Sequence, residues 1–180
     1  MSVLAGPFAI AAALLVIGGA LKAVRPGDTA HAVGVVGLRL PSFLSTRTAV
    51  RVGGVAEVMV GIGALVTGGA VFAVLVAVSY LAFAGFVVVA LRSGKPISSC
   101  GCFGKVDTPP SSVHVVLDLA FAAVAVAAAV VGRVALPDVL ADQPLLGIPF
   151  VLLLLIGLYL VFLSFTALPK TMAAVREVAG

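Results

Sequence analysis

The chain is predicted to be an all-α integral membrane protein, with a four-helix transmembrane core bundle, a fifth C-terminal span and one short interfacial helix. Three observations carry that expectation. The composition is 62% hydrophobic and 10% charged with a mean hydropathy of +1.30, against about a quarter charged in a soluble domain. Five apolar runs are long enough, or nearly so, to cross a bilayer. The cations gather in the connections on one side of those runs. The net charge of +4 does not point to nucleic acid, because no basic run is interleaved with aromatic residues.

Val3 to Leu21 forms the first apolar run, ended by Lys22. No basic residue precedes it and Ala20-Leu21-Lys22-Ala23 is a poor cleavage site, so it reads as a retained span. Pro26-Gly27-Asp28 breaks the helix, and Asp28 can cap a new one. Thr29 to Leu40 is apolar enough to lie on the membrane surface, and Pro41 and Ser42 end it. Val52 to Val66, starting about a turn earlier, is the second span, and Thr67-Gly68-Gly69 is a tight turn. Val71 to Leu91 is the third. A polar loop over residues 92–112 follows, and its Thr108-Pro109-Pro110-Ser111-Ser112 reads as a rigid lead-in and N-cap. Val113 to Val131 is the fourth span, Gly132 to Pro144 a polar loop, and Leu145 to Leu168 the fifth span. Residues 1–134 form the four-span domain and residues 135–180 the extra helix and tail.

With five spans, the first and third connections share a side with the C-terminus. That side carries Lys22, Arg25, Arg39, Arg47, Arg51, Arg92, Lys95, Lys105, Lys170 and Arg176, whereas the other carries only Arg133. The positive-inside rule then predicts a multi-pass plasma-membrane protein with its N-terminus outside and its C-terminus and third connection cytoplasmic.

That connection contains both cysteines, Cys100 and Cys102, in Ser98-Ser99-Cys100-Gly101-Cys102-Phe103-Gly104-Lys105. Three readings are open. A disulfide across one residue closes a small, strained ring that is easily reduced and constrains almost no chain entropy. Lys95 and Lys105 would favour the thiolate, so the pair suits thiol exchange. Two thiolates can instead hold Cu(I), which soft ligands select. The cysteines can also be ordinary reduced thiols packed by Phe103.

Ionisable residues in apolar context lie toward the same end. Glu57 falls six residues after Arg51, and His114 and Asp118 are one turn apart on the fourth span. A carboxylate in the bilayer costs a few kcal/mol, on the order of 2.5–3.5, unless it is paired. Gly53, Glu57 and Gly61 repeat at four, a ridge that lets another helix close on Glu57, with Lys22 and the loop arginines as counter-ions. Glu57 is then either a buried pair that sets helix register or a proton relay. His114 is either a helix-end residue at the interface or a proton-handling group. Asp118 is either an anchor favoured by the helix dipole or a proton-handling group.

Cys100-Gly101-Cys102-Phe103-Gly104, after a span ending Leu91-Arg92-Ser93-Gly94, resembles the signature of the methylamine-utilisation protein MauE family, which belongs with DoxX-like membrane proteins. Gly19-Ala20-Leu21-Lys22 before Pro26, Leu40-Pro41, and the glutamate at position 57 agree with it. The resemblance spans about residues 5 to 132. It implies four core helices, Cys100 and Cys102 as a redox pair, and a thioredoxin-like partner in maturing a disulfide-rich enzyme. The expected function is therefore thiol–disulfide exchange, with Cys100, Cys102, Glu57, His114 and Asp118 as site residues and a redox-active Cys100–Cys102 disulfide in place of any cofactor the sequence identifies. A non-catalytic subunit of a larger membrane complex is the alternative, with the fifth span as docking helix. Copper handling is the third reading, with Cys100 and Cys102 as the metal ligands.

Overall fold

A computed structural model describes residues 3–37, 45–93, 110–169 and 171. Among them the chain forms seven α-helices and no strand: α1 Ala5–Val24, α2 Pro26–Val36, α3 Thr46–Thr67, α4 Ala70–Ser93, α5 Ser112–Val131, α6 Leu136–Ala141 and α7 Ile148–Thr166. Five of these, α1, α3, α4, α5 and α7, are long and apolar enough to cross a membrane. The protein is thus an all-α integral membrane protein, as composition predicts.

Two antiparallel pairs make the bundle. α1 and α3 approach until their backbones touch. A Cβ on Gly19 would lie 2.6 Å from the Gly54 carbonyl oxygen, and one on Gly61 2.8 Å from that of Ala12. Ala12 and Gly19 are seven residues apart, as are Gly54 and Gly61, so two small-residue contacts recur at two-turn spacing along the pair. Of the ridge expected at Gly53, Glu57 and Gly61, the last two face α1 and Gly53 does not. Gly53 is exposed with open space over its α-carbon, and Gly54 is the buried one. Its neighbour in phase, Glu57, still faces α1.

The second pair, α4 and α5, packs through alanines: Ala73, Ala77 and Ala84 on one helix, Ala122, Ala125 and Ala128 on the other, all buried. Tyr80 joins the two pairs. Its ring lies 5.2 Å from that of Phe121, and its hydroxyl donates to the Ala11 carbonyl at 2.7 Å. A hydroxyl this deep in an apolar bundle needs such an acceptor. α7 stands at the edge: Phe165 is its one buried residue among those described, and half of its other residues are exposed.

The connections differ from expectation in three places. α2 starts at Pro26, where proline's missing N–H costs nothing, and stops at Val36 because Gly37 turns left-handed at φ 80°. It does not lie on a membrane surface alone. Ala32, Val35 and Val36 pack on Phe86 and Ala90 near the end of α4. The polar loop after the fourth span contains α6, opened by Pro137 in its first turn. A 3-10 turn over Pro144–Gly147 delays the last span to Ile148. At this end Gly68, at φ 59°, accepts from the Val134 N–H at 3.1 Å, tying the α3–α4 turn to the chain leaving α5.

The alternation of the five spans puts the end of α1, α2, the start of α3, the end of α4 and the start of α5 together. This is the basic end of the bundle, with Lys22, Arg25, Arg47, Arg51 and Arg92.

Candidate functional site

Three of the five predicted site residues are described: His114 and Asp118 sit in the first turns of α5 at the basic end, and Glu57 lies midway along α3. Cys100 and Cys102 lie outside the described residues. The segment that bears them leaves α4 at Ser93 and returns to α5 at Ser112, both at that end.

Glu57 is joined to Lys22. The ammonium reaches both carboxylate oxygens, at 2.7 and 2.6 Å. Lys22 sits in the last turn of α1, two residues before its end, whereas Glu57 is eleven residues into α3 because that helix begins at Thr46 rather than near Arg51. Gly19 packs beside Glu57 and Gly54 beside Lys22, so the two residues are offset by about one turn, roughly 5 Å, along the bundle. Side chains lean toward the N-terminus of their own helix. In an antiparallel pair that makes Lys22 lean inward and Glu57 outward, and they meet. The Phe83 ring of α4 closes the third side, its centroid 4.0 Å from the Lys22 nitrogen. The lysine side chain keeps 7% of its surface accessible and the glutamate 14%. An ion pair this dry needs both partners, because either charge alone would face apolar surroundings. Of the expected counter-ions, Lys22 takes this role. Arg51 instead donates its Nε to the Ala23 carbonyl at 3.1 Å, covering the end of α1.

His114 and Asp118 form a second polar site, one turn apart on α5 and both buried. His114 has no accessible surface, so its ring is packed inside the bundle rather than exposed at the helix end. Ser111, the N-cap residue, spends its hydroxyl on the ring rather than on a backbone N–H: Oγ is 2.9 Å from His114 Nδ1. The Ser111 carbonyl accepts from the His114 N–H at 3.1 Å, so one residue fixes both ends of the histidine. The ring packs on Phe165 at 5.6 Å, and Phe165 stacks on Phe121 at 6.4 Å. His114 Nε2 is buried with no hydrogen-bond partner among the described residues. If the Ser111 hydroxyl donates to Nδ1, Nε2 carries the proton. With the opposite tautomer Nε2 presents a lone pair. Either way the ring has one nitrogen committed to Ser111 and one buried without a hydrogen-bond partner among the described residues.

Among the described residues no group of three or more His, Cys, Asp or Glu side chains comes together. The roles of Phe83 and Ser111 were not legible in sequence. Nothing marks one phenylalanine among ten as the wall of an ion pair. Ser111 shows as a cap, and only its spacing of three to His114 hints at the ring contact.

A family model, methylamine utilisation protein MauE, matches residues 1–135. The chain belongs to the MauE family. No curated protein and no solved structure matches it. The MauE match takes in α1 to α5, hence both antiparallel pairs, the Lys22–Glu57 pair and the Ser111–His114–Asp118 site. It ends at Ala135, where the chain enters α6, so α6 and α7 lie beyond it.

Proposed function

We propose that this MauE-family protein exchanges disulfides through Cys100 and Cys102, with His114 as the proton-handling group. The observation that carries the reading is the buried imidazole. It is anchored by Ser111 on one nitrogen, and the other is buried with no hydrogen-bond partner among the described residues, at the start of the helix that follows the cysteine segment. Thiol exchange needs a group of this kind, because the attacking species is the thiolate. In the oxidising direction a thiolate of the pair attacks a disulfide sulfur of a thioredoxin-like partner. A mixed disulfide forms and one partner thiolate leaves. The second cysteine, deprotonated in turn, attacks its neighbour's sulfur and releases the other partner thiolate. Two thiols have become one disulfide, one partner disulfide has become two thiols, and two protons have passed from the pair to the partner. His114 takes and returns them, and the basic end of the bundle favours the thiolates. Lys22–Glu57 acts as a structural pair that fixes the register of α1 and α3. By the distribution of Lys and Arg, this end faces the cytoplasm.

Single Cys100→Ser and Cys102→Ser variants in cells test the reading. One of them should accumulate a mixed disulfide with a partner that reductant releases. Absence of any such adduct, with function intact in the double Ser variant, would overturn it. One observation favours a second reading, an accessory subunit of a larger membrane complex: only Phe165 of α7 is buried among the described residues, and half of the helix is exposed. Under that reading the cysteines are dispensable and α7 is not. A Cu(I) site on the two thiolates would instead show as copper bound to the purified protein and lost in the double Ser variant.

A further inference from the structure

Apart from the cysteine end of α5, the basic end holds a cavity of about 490 Å³, lined by Pro26, Gly27, Arg47, Thr48 and Arg51. It lies between the start of α2 and the first turns of α3. Arg47 and Arg51 are one turn apart, so their guanidiniums sit on one face of α3. Both residues are exposed, and among the described residues neither pairs with a carboxylate. Arg51 is held in place by its Nε bond to the Ala23 carbonyl, which leaves its terminal N–H groups for another acceptor. Thr48 is committed to Ser45, whose Oγ lies 2.8 Å from its hydroxyl.

The face that begins with these arginines continues in one direction only. Arg47, Arg51, Val55, Met59, Ile62 and Val66 follow one another at four- and three-residue steps. The apolar members are all at least 47% exposed. From Arg51 to Ile62 the rise is about 16 Å, close to the thickness of one leaflet of hydrocarbon. A single helix face thus offers two unpaired cations at the membrane surface and an apolar track below them. Its complement is a molecule with an anionic head and chains of leaflet length.

We propose that the cavity holds the phosphate of an anionic phospholipid, with Arg47 and Arg51 on the head and the acyl chains along Val55, Met59 and Ile62. The shape argues for lipid rather than a free anion, because inorganic phosphate would use the arginines and leave the apolar track untouched. Guanidinium forks suit phosphate oxygens, and at a bilayer surface each contributes to binding without the cost of deep burial. The proposal does not depend on the cysteines.

The full-length protein in neutral detergent tests it. Native mass spectrometry would follow retained lipid, and thermal unfolding would follow stabilisation, with phosphatidylglycerol, phosphatidylcholine and inorganic phosphate as separate additions. Phosphatidylglycerol should be retained and should raise the unfolding temperature, and the other two should do neither at equal concentration. Arg47→Gln, which breaks no side-chain hydrogen bond or ion pair among the described residues, should weaken phosphatidylglycerol retention roughly fivefold, and Arg47→Gln/Arg51→Gln roughly thirtyfold. Arg133→Gln, at the opposite end, should leave retention unchanged. Equal retention of the two lipids, unchanged retention in Arg47→Gln, or an equal effect from inorganic phosphate alone would each overturn the assignment.

Discussion

Removing the Lys22 ammonium should destabilise the protein far more than removing the whole ion pair. The geometry sets the size. One nitrogen meets both oxygens of Glu57 at 2.6–2.7 Å, with side chains 7% and 14% exposed, and a phenyl ring covers the remaining side. In Lys22→Met the stem volume is retained, and what changes is that a carboxylate is left without its cation. Breaking such a pair costs about 3–5 kcal/mol, and part of that is the contact with Phe83, about 0.5–2 kcal/mol. Glu57→Met leaves the ammonium beside Phe83 without its anion and should cost a similar amount. In Lys22→Met/Glu57→Met no charge remains to be satisfied. The double variant should therefore lie within about 1 kcal/mol of the wild type or above it. Denaturant-driven unfolding in mixed micelles measures all four proteins and gives the coupling directly. Two results would refute the reasoning. A single variant that loses less than about 1 kcal/mol would mean the site is wetter than its geometry implies. Additive losses in the double variant would mean that the side chains act through packing rather than charge.

Four further outcomes are expected. Gly54→Leu should abolish a stable α1–α3 pair, because a Cβ there meets the Gly19 carbonyl oxygen at 2.6 Å and the Ala23 nitrogen at 2.8 Å, whereas Gly53→Leu should express and unfold like the wild type. Gly68→Ala should lower the unfolding temperature, since a left-handed residue would gain a Cβ, at about 1–2 kcal/mol for the backbone alone, and that Cβ would run into the Val134–Ala135 backbone. Tyr80→Phe removes the hydroxyl held by the Ala11 carbonyl and should cost about 0.5–1.5 kcal/mol in the same unfolding assay. His114→Gln should slow exchange of the cysteines with a model disulfide and shift the pH dependence of its rate, while Ser111→Ala should do so to a smaller extent; an unchanged rate–pH profile in His114→Gln would remove the histidine from the mechanism.

The five spans and their common basic end are legible in the sequence because both follow from averages. Hydropathy sums over about twenty residues and the Lys/Arg bias sums over whole loops, so single errors cancel. The details that build the sites turn on one residue, one step of helical phase or one distant contact. Gly53 and Gly54 are adjacent, and a strict step of four back from Glu57 selects the exposed one, although Glu57 and Gly61 do face α1. The first turn of α3 begins at Thr46, capped by Ser45, whose Oγ accepts from the Thr48 N–H at 3.2 Å, before the apolar pattern starts; counting from Arg51 therefore placed Glu57 too near the helix end. Its partner was legible only as one of several cations, because the lean of side chains in an antiparallel pair selects Lys22 once the register is known. α6 was missed because a helix of six residues has too few apolar positions to show a period. His114 looked like an interfacial residue from its place near a helix start. Phe165 of α7 buries it, and no local pattern announces that contact.

Disulfide exchange by this protein is tested most directly by the redox state of Cys100 and Cys102 in intact cells. Labelling with a membrane-impermeant thiol reagent, compared with a permeant one before and after reduction, reads that state and its sidedness together. The account predicts that a fraction of the pair labels only after reduction, and that access is from the cytoplasmic face. Thiols that are always reduced, and that can both be replaced by Ser without loss of function, would contradict it.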